Sequence, residues 1–435
     1  MSCPEPPDFE PLSRAEVAAR QKFLAKRRKR REEHYCKLPY VPVTTRPCAD
    51  GSGDVMVVED EFTLPEAHDE YRDARRPRGC TAASSTADAR AQLSRYQSPN
   101  AQKEIERLPH ARPSSLAVVG GFIKHGRPTA EYAPKNQRPQ PRTGEVTSER
   151  PLVIVIDTGV AAAALDRGQK KRQRDDEWLN RFETAEGDEC NIDPLDQIRK
   201  PRGLDLGAGH GTFVAGLIAQ VTHAAKIVMI RAMDTDGIGS EQVVADAIQT
   251  AGRIFNAEGR GRGVLNLSLG FETVDNREPD VLHAAMADLS PEVLVVAAAG
   301  NVPHGRRFWP AASTRALGVA ALRDCPDLPP ARWSNRGPWV DFSARGENLV
   351  SLFVTGKETK GSGKSGDPFD PKPETFKGPN PFALWTGTSF ATAQVTGSLA
   401  NLLTYDPTLS RADATQRLKT FGTYHRDFGY RLSIL

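Results

Sequence analysis

The sequence has no long apolar run, no paired cysteine motif and no large excess of one charge. No stretch approaches the roughly 18 apolar residues that a membrane-spanning helix needs, and the opening MSCPEPPDFEPLSR lacks the apolar core of a secretory signal. Lysine plus arginine number 58 against 55 for aspartate plus glutamate, a balance too even to indicate a nucleic-acid or membrane partner for the whole chain. We therefore expect no membrane span, no specific nucleic acid and a cytoplasmic location.

Cysteine is sparse and widely spaced. No CxxC pair is present, and no cysteine directly adjoins a histidine as in a zinc site. We interpret the cysteines as mostly free thiols of a reducing compartment, with disulfides confined to the N-terminal segment as the alternative for a secreted protein. The six are Cys3, Cys36, Cys48, Cys80, Cys190 and Cys325.

Length and composition indicate one large globular domain and an accessory region. The chain has 435 residues, of which 38% are hydrophobic, enough for a sizeable core. Shifts in composition predict four parts. They are a basic, partly disordered or helical segment at 1–50, a small α+β unit at 51–124, a Pro/Arg-rich linker at 125–149 and the main domain at 150–435.

The N-terminal region carries weaker signals. Residues 26–31 form a basic cluster, which we interpret as part of a solvated helix, with nucleic-acid or surface binding as the alternative. Strand patterns lie at 54–64 and 114–123, with a helical pattern at 86–108 between them. These patterns predict the small α+β unit.

The main domain alternates short apolar strands with helical stretches. PLVIVID, AKIVMIRAM, GVLNLSLG and EVLVVAAAG read as strands, and SEQVVADAIQTAGRIFNAEG reads as a helix. Unbroken apolar strands need cover on both faces. The pattern therefore predicts an α/β fold with a doubly wound, mostly parallel sheet and helices on both faces.

Two motifs offer an acid and a base. In VIVIDTGV, Asp157 follows a buried strand and precedes a glycine turn, where α/β sheets present functional groups, although a helix-capping Asp is common in such turns. In GAGHGTFVAGLIA, His210 lies between glycines at the start of an apolar helix. This setting favours an oriented imidazole over a packed core histidine.

Two further motifs offer a nucleophile and an amide donor. In LWTGTSFATAQVTG, Ser389 opens a helix of small residues, where the helix N-terminus favours an anion, and an N-cap serine is the plain alternative. In VVAAAGNVP, Asn301 follows a buried strand and offers its side-chain amide, unless it is a simple turn residue. Acyl transfer to serine needs these four kinds of group together.

The four motifs in this order resemble the subtilisin-like serine peptidases over about residues 150–405. The resemblance implies a serine endopeptidase in which Ser389 is the nucleophile and His210 acts as general base and then acid. Asp157 orients His210, and Asn301 donates to the oxyanion. Protein or peptide substrates follow from the same resemblance.

The resemblance also implies two backbone edges that hold the substrate as a β-strand, and a primary pocket for the side chain just before the cleaved bond. Small residues around that pocket indicate room for a large apolar side chain. Residues of the edges are Ser268, Leu269 and Gly270 on one side and Gly237, Ile238 and Gly239 on the other, and the pocket is lined by Ala298, Ala299 and Gly300.

Some positions depart from the family pattern. Phe390, Ala393 and Gln394 occupy the places of the family's Met, Pro and His after the serine. None of these changes removes a proton-transfer group, so an active enzyme is expected, with a peptide-binding pseudoprotease as the alternative. The stretch GSGKS at 361–365 lacks the first glycine of a phosphate loop and reads as an ordinary loop.

Two questions stay open at this point. The N-terminal region reads either as a cleavable, inhibitory propeptide or as a retained interaction module, and an unidentified partner protein is a further source of inhibition. Calcium is frequent in the family, but no loop has a recognisable calcium spacing, so we predict no cofactor and no metal ligands. The acidic residues considered were Asp188, Glu189, Asp193 and Asp196.

Overall fold

The structure is a computed structural model that describes most of the main domain and short parts of the N-terminal region. The described residues are 44–47, 54–57, 111–112, 116–119, 130–133, 137–139, 142, 150–161, 182–184, 191–195, 203–205, 207–235, 237–273, 276–301, 305–357, 375–378 and 381–435. The predictions for the basic cluster, the helix at 86–108, the GSGKS loop and five of the six cysteines lie outside these residues.

Twenty strands and five helices are defined within the described residues. The strands are β1 Thr44–Pro47, β2 Asp54–Val57, β3 Ala111–Arg112, β4 Leu116–Val119, β5 Glu131–Tyr132, β6 Leu152–Asp157, β7 Phe182–Thr184, β8 Lys226–Arg231, β9 Ile238–Ser240, β10 Gly263–Leu267, β11 Leu269–Gly270, β12 Val293–Ala298, β13 Ala316–Leu322, β14 Phe342–Arg345, β15 Leu349–Leu352, β16 Gly356–Lys357, β17 Thr375–Phe376, β18 Phe382–Trp385, β19 Thr423–His425 and β20 Gly429–Arg431. The helices are α1 His210–Val221, α2 Glu241–Ala257, α3 Asp280–Ala287, α4 Thr388–Tyr405 and α5 Arg411–Lys419.

A nine-stranded sheet forms the centre of the main domain. Its order is β19-β20-β14-β13-β12-β10-β6-β8-β7. Every neighbouring pair is parallel except β19 and β20. The predicted α/β fold with a mostly parallel sheet is therefore confirmed.

Strand β6 shows how helices cover both faces of this sheet. Val153 and Val155 pack in a core that includes residues of α1 and α4, whereas Ile154 and Ile156 pack in a second core with residues of α2 and α3. All four side chains are fully buried. The period of two along a strand sends neighbouring side chains to opposite faces, so a fully apolar strand needs helices on both sides.

Helix α2 follows from its sequence by ordinary rules. The side chain of Ser240 caps the helix by accepting a hydrogen bond from the Val243 N–H at 3.1 Å. Helical spacing then places one apolar stripe against the sheet. The buried side chains of that stripe include Val244, Ile248, Ala251 and Phe255.

The described residues of the N-terminal region contribute strands to three sheets, one of which contains β5, a strand within the predicted linker that pairs with β18. β1, β2 and β3 form a separate three-stranded sheet, and β2 falls within the strand predicted at 54–64. β4 falls within the strand predicted at 114–123 and lies between β9 and β11 in a second small sheet. The accessory region therefore contributes backbone directly to the main domain.

Cys325 is disulfide-bonded, and its partner lies outside the described residues. The expectation of a free thiol is wrong for this residue. Disulfides are typical of oxidising compartments, so this bond does not favour the predicted cytoplasmic location. That location stays a prediction. No helix in the described part of the chain is both long and apolar enough to cross a membrane.

Candidate active site

Asp157 and His210 form a buried pair. Asp157 ends β6 and His210 begins α1, and the His210 Nδ1 lies 2.8 Å from Asp157 Oδ1 and 3.0 Å from Oδ2. Both side chains are fully buried. A carboxylate only accepts hydrogen bonds, so Nδ1 carries the proton. Among the residues that the structure describes, the opposite nitrogen, Nε2, has no hydrogen-bond partner.

Thr158 and Asp193 link the two loops that carry this pair. The Thr158 hydroxyl donates to Asp193 Oδ2 at 3.2 Å and accepts from the Gly211 N–H at 3.1 Å. The same Asp193 oxygen accepts from the Gly209 N–H at 2.7 Å. Gly211, which follows His210, is therefore tied directly to Thr158, and Gly209, which precedes it, is tied to Thr158 through Asp193.

Ser389 is the second residue of α4. Its hydroxyl donates to the Ser268 carbonyl at 3.0 Å, and the Ser268 hydroxyl donates to the Ser389 carbonyl at the same distance. The Ser389 hydroxyl is not hydrogen-bonded to His210, whose Nε2 is unpartnered. Catalytic hydrogen bonds often tighten only when substrate binds, and rotation about one side-chain bond redirects this hydroxyl.

Asn301 is oriented as a hydrogen-bond donor. Its Oδ1 accepts from the Thr388 N–H at 2.9 Å and from the Thr388 hydroxyl at 2.8 Å. These contacts fix the side chain so that the Nδ2 group faces away from them. The buried Nδ2 has no hydrogen-bond partner within the described part of the chain.

The unusual residues after Ser389 pack behind the histidine. Phe390 is fully buried, with its ring centroid 5.4 Å from that of His210 and 4.5 Å from that of Phe213. Gln394 donates to the Arg345 carbonyl at 2.6 Å and to the Phe390 carbonyl at 3.0 Å. These residues support the imidazole from behind and leave the proton-transfer groups in place.

The two predicted substrate edges are separated by a strand of the chain itself. β4 pairs antiparallel with β9, where Ala117 faces Gly239, and antiparallel with β11, where Val118 faces Gly270 and Val119 faces Leu269. Gly237, at the turn before β9, donates to the Asp234 carbonyl at 2.8 Å. The edges are thus arranged to hold an extended peptide between them.

The predicted pocket residues lie at the end of β12. Ala298 and Ala299 are fully buried, and Gly300 has a positive φ of 96° that favours glycine. The Gly300 N–H donates to the Thr388 hydroxyl at 3.2 Å. Thr388 therefore joins the pocket wall to Asn301 and to the start of α4.

The described residues contain no group of three or more His, Cys, Asp or Glu side chains that could bind a metal ion. Of the four acidic residues considered for calcium, only Asp193 lies among them. Its Oδ2 is engaged by Gly209 and Thr158, and its Oδ1 accepts from the Leu195 N–H at 3.0 Å. This carboxylate therefore fixes the backbone by accepting hydrogen bonds from the N–H groups of Gly209 and Leu195.

Burial raises the pKa of Asp193 to about 6, against hydrogen bonds and the charge of Arg231, which act to lower it. A raised carboxylate pKa means that the folded protein retains a proton which the unfolded chain has released. The stabilising contribution is complete below pH 3.8 and is lost as the pH rises through about 6. This buried group therefore makes the free energy of unfolding depend on pH.

Replacing Asp193 with asparagine is expected to remove that dependence. Relative to the variant, the wild type should lose up to about 3 kcal/mol of unfolding free energy as the pH rises through this window. Urea unfolding at a series of pH values measures the difference, with Asp288→Asn as an exposed control. A wild-type to variant difference that is constant with pH would contradict this role.

Sequence reasoning missed several residues of the site. Thr158, Thr388 and the Ser268 carbonyl lie within the motifs, but their roles depend on contacts across the fold. Asp193 was considered only as a calcium ligand in a solvated loop, although it is 2% exposed. The sequence did offer one signal for the two threonines: Thr158 directly follows Asp157, and Thr388 directly precedes Ser389.

Comparison with known proteins shows the family of this chain. A sequence profile described as the subtilase family matches residues 148–429, more than half of the chain. A thermophilic serine proteinase of Bacillus sp. (strain AK1) is 31% identical over 261 residues, which are 58% of this chain and 51% of that protein. Subtilisin-like proteinase Mp1 of Magnaporthiopsis poae is 31% identical over 224 residues, which are 49% of each.

The chain thus spans about half the length of these two relatives. Among solved structures, a cold-adapted subtilisin-like serine proteinase is 21% identical, with a TM-score of 0.45, over 69% of this chain and 95% of that one. The matched residues 148–429 contain all four motifs and nearly the whole central sheet. The chain belongs to the subtilase family of serine proteases.

Proposed function

We propose that the protein is an endopeptidase that hydrolyses peptide bonds of proteins through an acyl-enzyme on Ser389. The observation that carries the proposal is the state of His210, whose Nδ1 is fixed by Asp157 while its Nε2 is unpartnered. Asn301 adds an oriented amide donor without a partner. These are the base, its orienting acid and the oxyanion donor that a serine nucleophile requires.

The reaction follows from these positions. The Ser389 hydroxyl oxygen attacks the substrate carbonyl carbon while His210 Nε2 takes the proton. The Asn301 amide and the N–H of Ser389, which has no intrahelical partner at the start of α4, stabilise the oxyanion. Collapse breaks the C–N bond, and His210 protonates the leaving amine. One water, activated by His210, then hydrolyses the ester, which releases the carboxylate product and restores Ser389.

Autoinhibition by the N-terminal region is part of the proposal. β4 takes the place of an extended substrate between β9 and β11, and the Ser389 and His210 side chains are fully buried. A nucleophile without solvent exposure must be uncovered before it can meet a protein substrate. The supporting observation is therefore that the chain's own backbone pairs with both substrate edges.

Replacing Val118 with proline is expected to activate the enzyme. Proline cannot donate to a β-ladder, and a tethered segment competes at an effective concentration on the order of mM. We expect casein hydrolysis to rise by roughly tenfold or more, measured by release of internal peptides. Val118→Thr keeps the N–H and the branched side chain and serves as the matched control. Equal activity of both variants and the wild type would refute autoinhibition by β4.

A peptide-binding protein without turnover is the second candidate. The observation in its favour is that the Ser389 hydroxyl bonds to Ser268 and not to His210. This candidate predicts that Val118→Pro protein binds peptides but leaves casein uncut and does not react with a fluorophosphonate. Either reaction excludes it.

A further inference from the structure

A phenylalanine side chain lies in the predicted primary pocket. A Cβ atom built on Gly270 would be 2.4 Å from Phe308 Cε1, and one built on Gly300 would be 2.9 Å from Phe308 Cγ. The two glycines belong to opposite walls of the pocket, one in the substrate edge β11 and one after β12. A single ring therefore fills the space between walls that are made of glycine backbone.

Phe308 is fixed in this position by its neighbours in the chain. Its carbonyl accepts from the Ala312 N–H at 2.9 Å, and the backbone of Trp309 exchanges two hydrogen bonds with Phe271 at 2.8 and 2.9 Å. The Phe308 side chain is only 5% exposed. Moving the ring out of the pocket would expose apolar surface and leave a cavity, both of which cost free energy.

The register of β4 identifies which substrate residue meets this ring. Val118 faces Gly270 and Val119 faces Leu269. The next position along this edge is Ser268, whose carbonyl accepts the Ser389 hydroxyl. A peptide in the register of β4 therefore presents the residue after the Val119 position to the nucleophile. In the sequence, Val119 is followed by Gly120 and Gly121.

We propose that Phe308 occupies the primary pocket and restricts cleavage to bonds that follow glycine. The proposal rests on the proposed peptidase function and names the substrate class of the same site. A glycine needs no pocket, whereas a large side chain must displace the ring. This proposal replaces the expectation of room for a large apolar side chain. That expectation was drawn from Ala298, Ala299 and Gly300, whereas the ring that fills the pocket belongs to a residue later in the chain.

The proposal is tested with two peptidyl diphenyl phosphonates that share the sequence Leu-Ala-Val-Val and end in the phosphonate analogue of glycine or phenylalanine. Full-length Val118→Pro protein is used so that β4 does not compete. We expect the glycine probe to react at least about 100-fold faster than the phenylalanine probe. Comparable rates for the two probes would overturn the proposal.

Phe308→Ala in the Val118→Pro background is expected to shift this ratio by at least about 100-fold toward phenylalanine. Phe308→Leu should give an intermediate ratio and replaces the alanine variant if that variant does not fold. Phe421→Ala removes an exposed phenylalanine and should leave the ratio unchanged. Both probes are measured on one preparation, so the ratio does not depend on the active fraction. An unchanged ratio in the Phe308 variants would overturn the assignment.

A simple fluorophosphonate distinguishes failure of the proposed peptidase function from failure of the specificity proposal, since it has no peptide side chain to place in the pocket. If the Val118→Pro protein does not react with it, the proposed function fails, and the specificity proposal fails with it. If the protein reacts but both peptidyl probes react at comparable rates, only the specificity proposal fails.

Discussion

Ser389→Ala, made in the Val118→Pro background, is expected to lower kcat for a protein substrate by about 10⁶-fold, the loss found when serine or histidine is removed in subtilisin. The physical reason is that the variant has no serine hydroxyl with which to form the acyl-enzyme. Asn301 and the substrate edges remain intact in this variant. Peptide release from casein, followed by mass spectrometry, measures the rate.

His210→Ala provides the control for this prediction. Residues that act as one unit give non-additive losses, so the double variant Ser389→Ala/His210→Ala should be no slower than either single variant. Thermal unfolding should verify that each variant is folded. Losses that add on a logarithmic scale, or a Ser389→Ala protein that keeps most of its activity, would contradict the shared role.

Asn301→Ala, made in the Val118→Pro background, is expected to lower kcat by about 10²–10³-fold with little change in KM. The unpartnered Nδ2 group has no acceptor before reaction, so its hydrogen bond forms only with the transition-state oxyanion. An interaction made only in the transition state lowers kcat and kcat/KM together when it is removed. Steady-state kinetics with a peptide that has glycine before the cleaved bond measure both constants.

Asn256→Ala is the matched control, since Asn256 is an exposed residue of α2, and both constants should be unchanged. If Asn301→Ala raises KM and leaves kcat intact, the amide binds substrate in its ground state. The oxyanion assignment would then be wrong.

Local patterns were sufficient for the main elements and for naming candidate site residues at their ends. β6 and β12 are apolar runs that end at or just before candidate site residues, and parallel strands collect their carboxyl ends at one edge of the sheet. Gly209, directly before His210, and Gly387, two residues before Ser389, mark the starts of α1 and α4. β13, with the sequence ALGVAAL, has the same apolar pattern and was not singled out.

Contacts between distant segments could not be read from those patterns. The small residues Ala298 and Ala299 indicate an open pocket, but Phe308 enters it from a later loop. Asp193 lies in an acidic stretch that reads as solvated, yet the fold buries it beside Gly209. The pairing of β4 with both substrate edges likewise depends on where the chain returns in space, because backbone pairing carries little sequence signal.

If Ser389 is the nucleophile of this site, a serine-directed fluorophosphonate should form its adduct on that residue. Val118→Pro protein is treated with a fluorophosphonate, digested and analysed by tandem mass spectrometry, with Val118→Pro/Ser389→Ala protein alongside. The account predicts one adduct, on Ser389, and none in the second protein. An adduct on another residue, or equal labelling of both proteins, would contradict it.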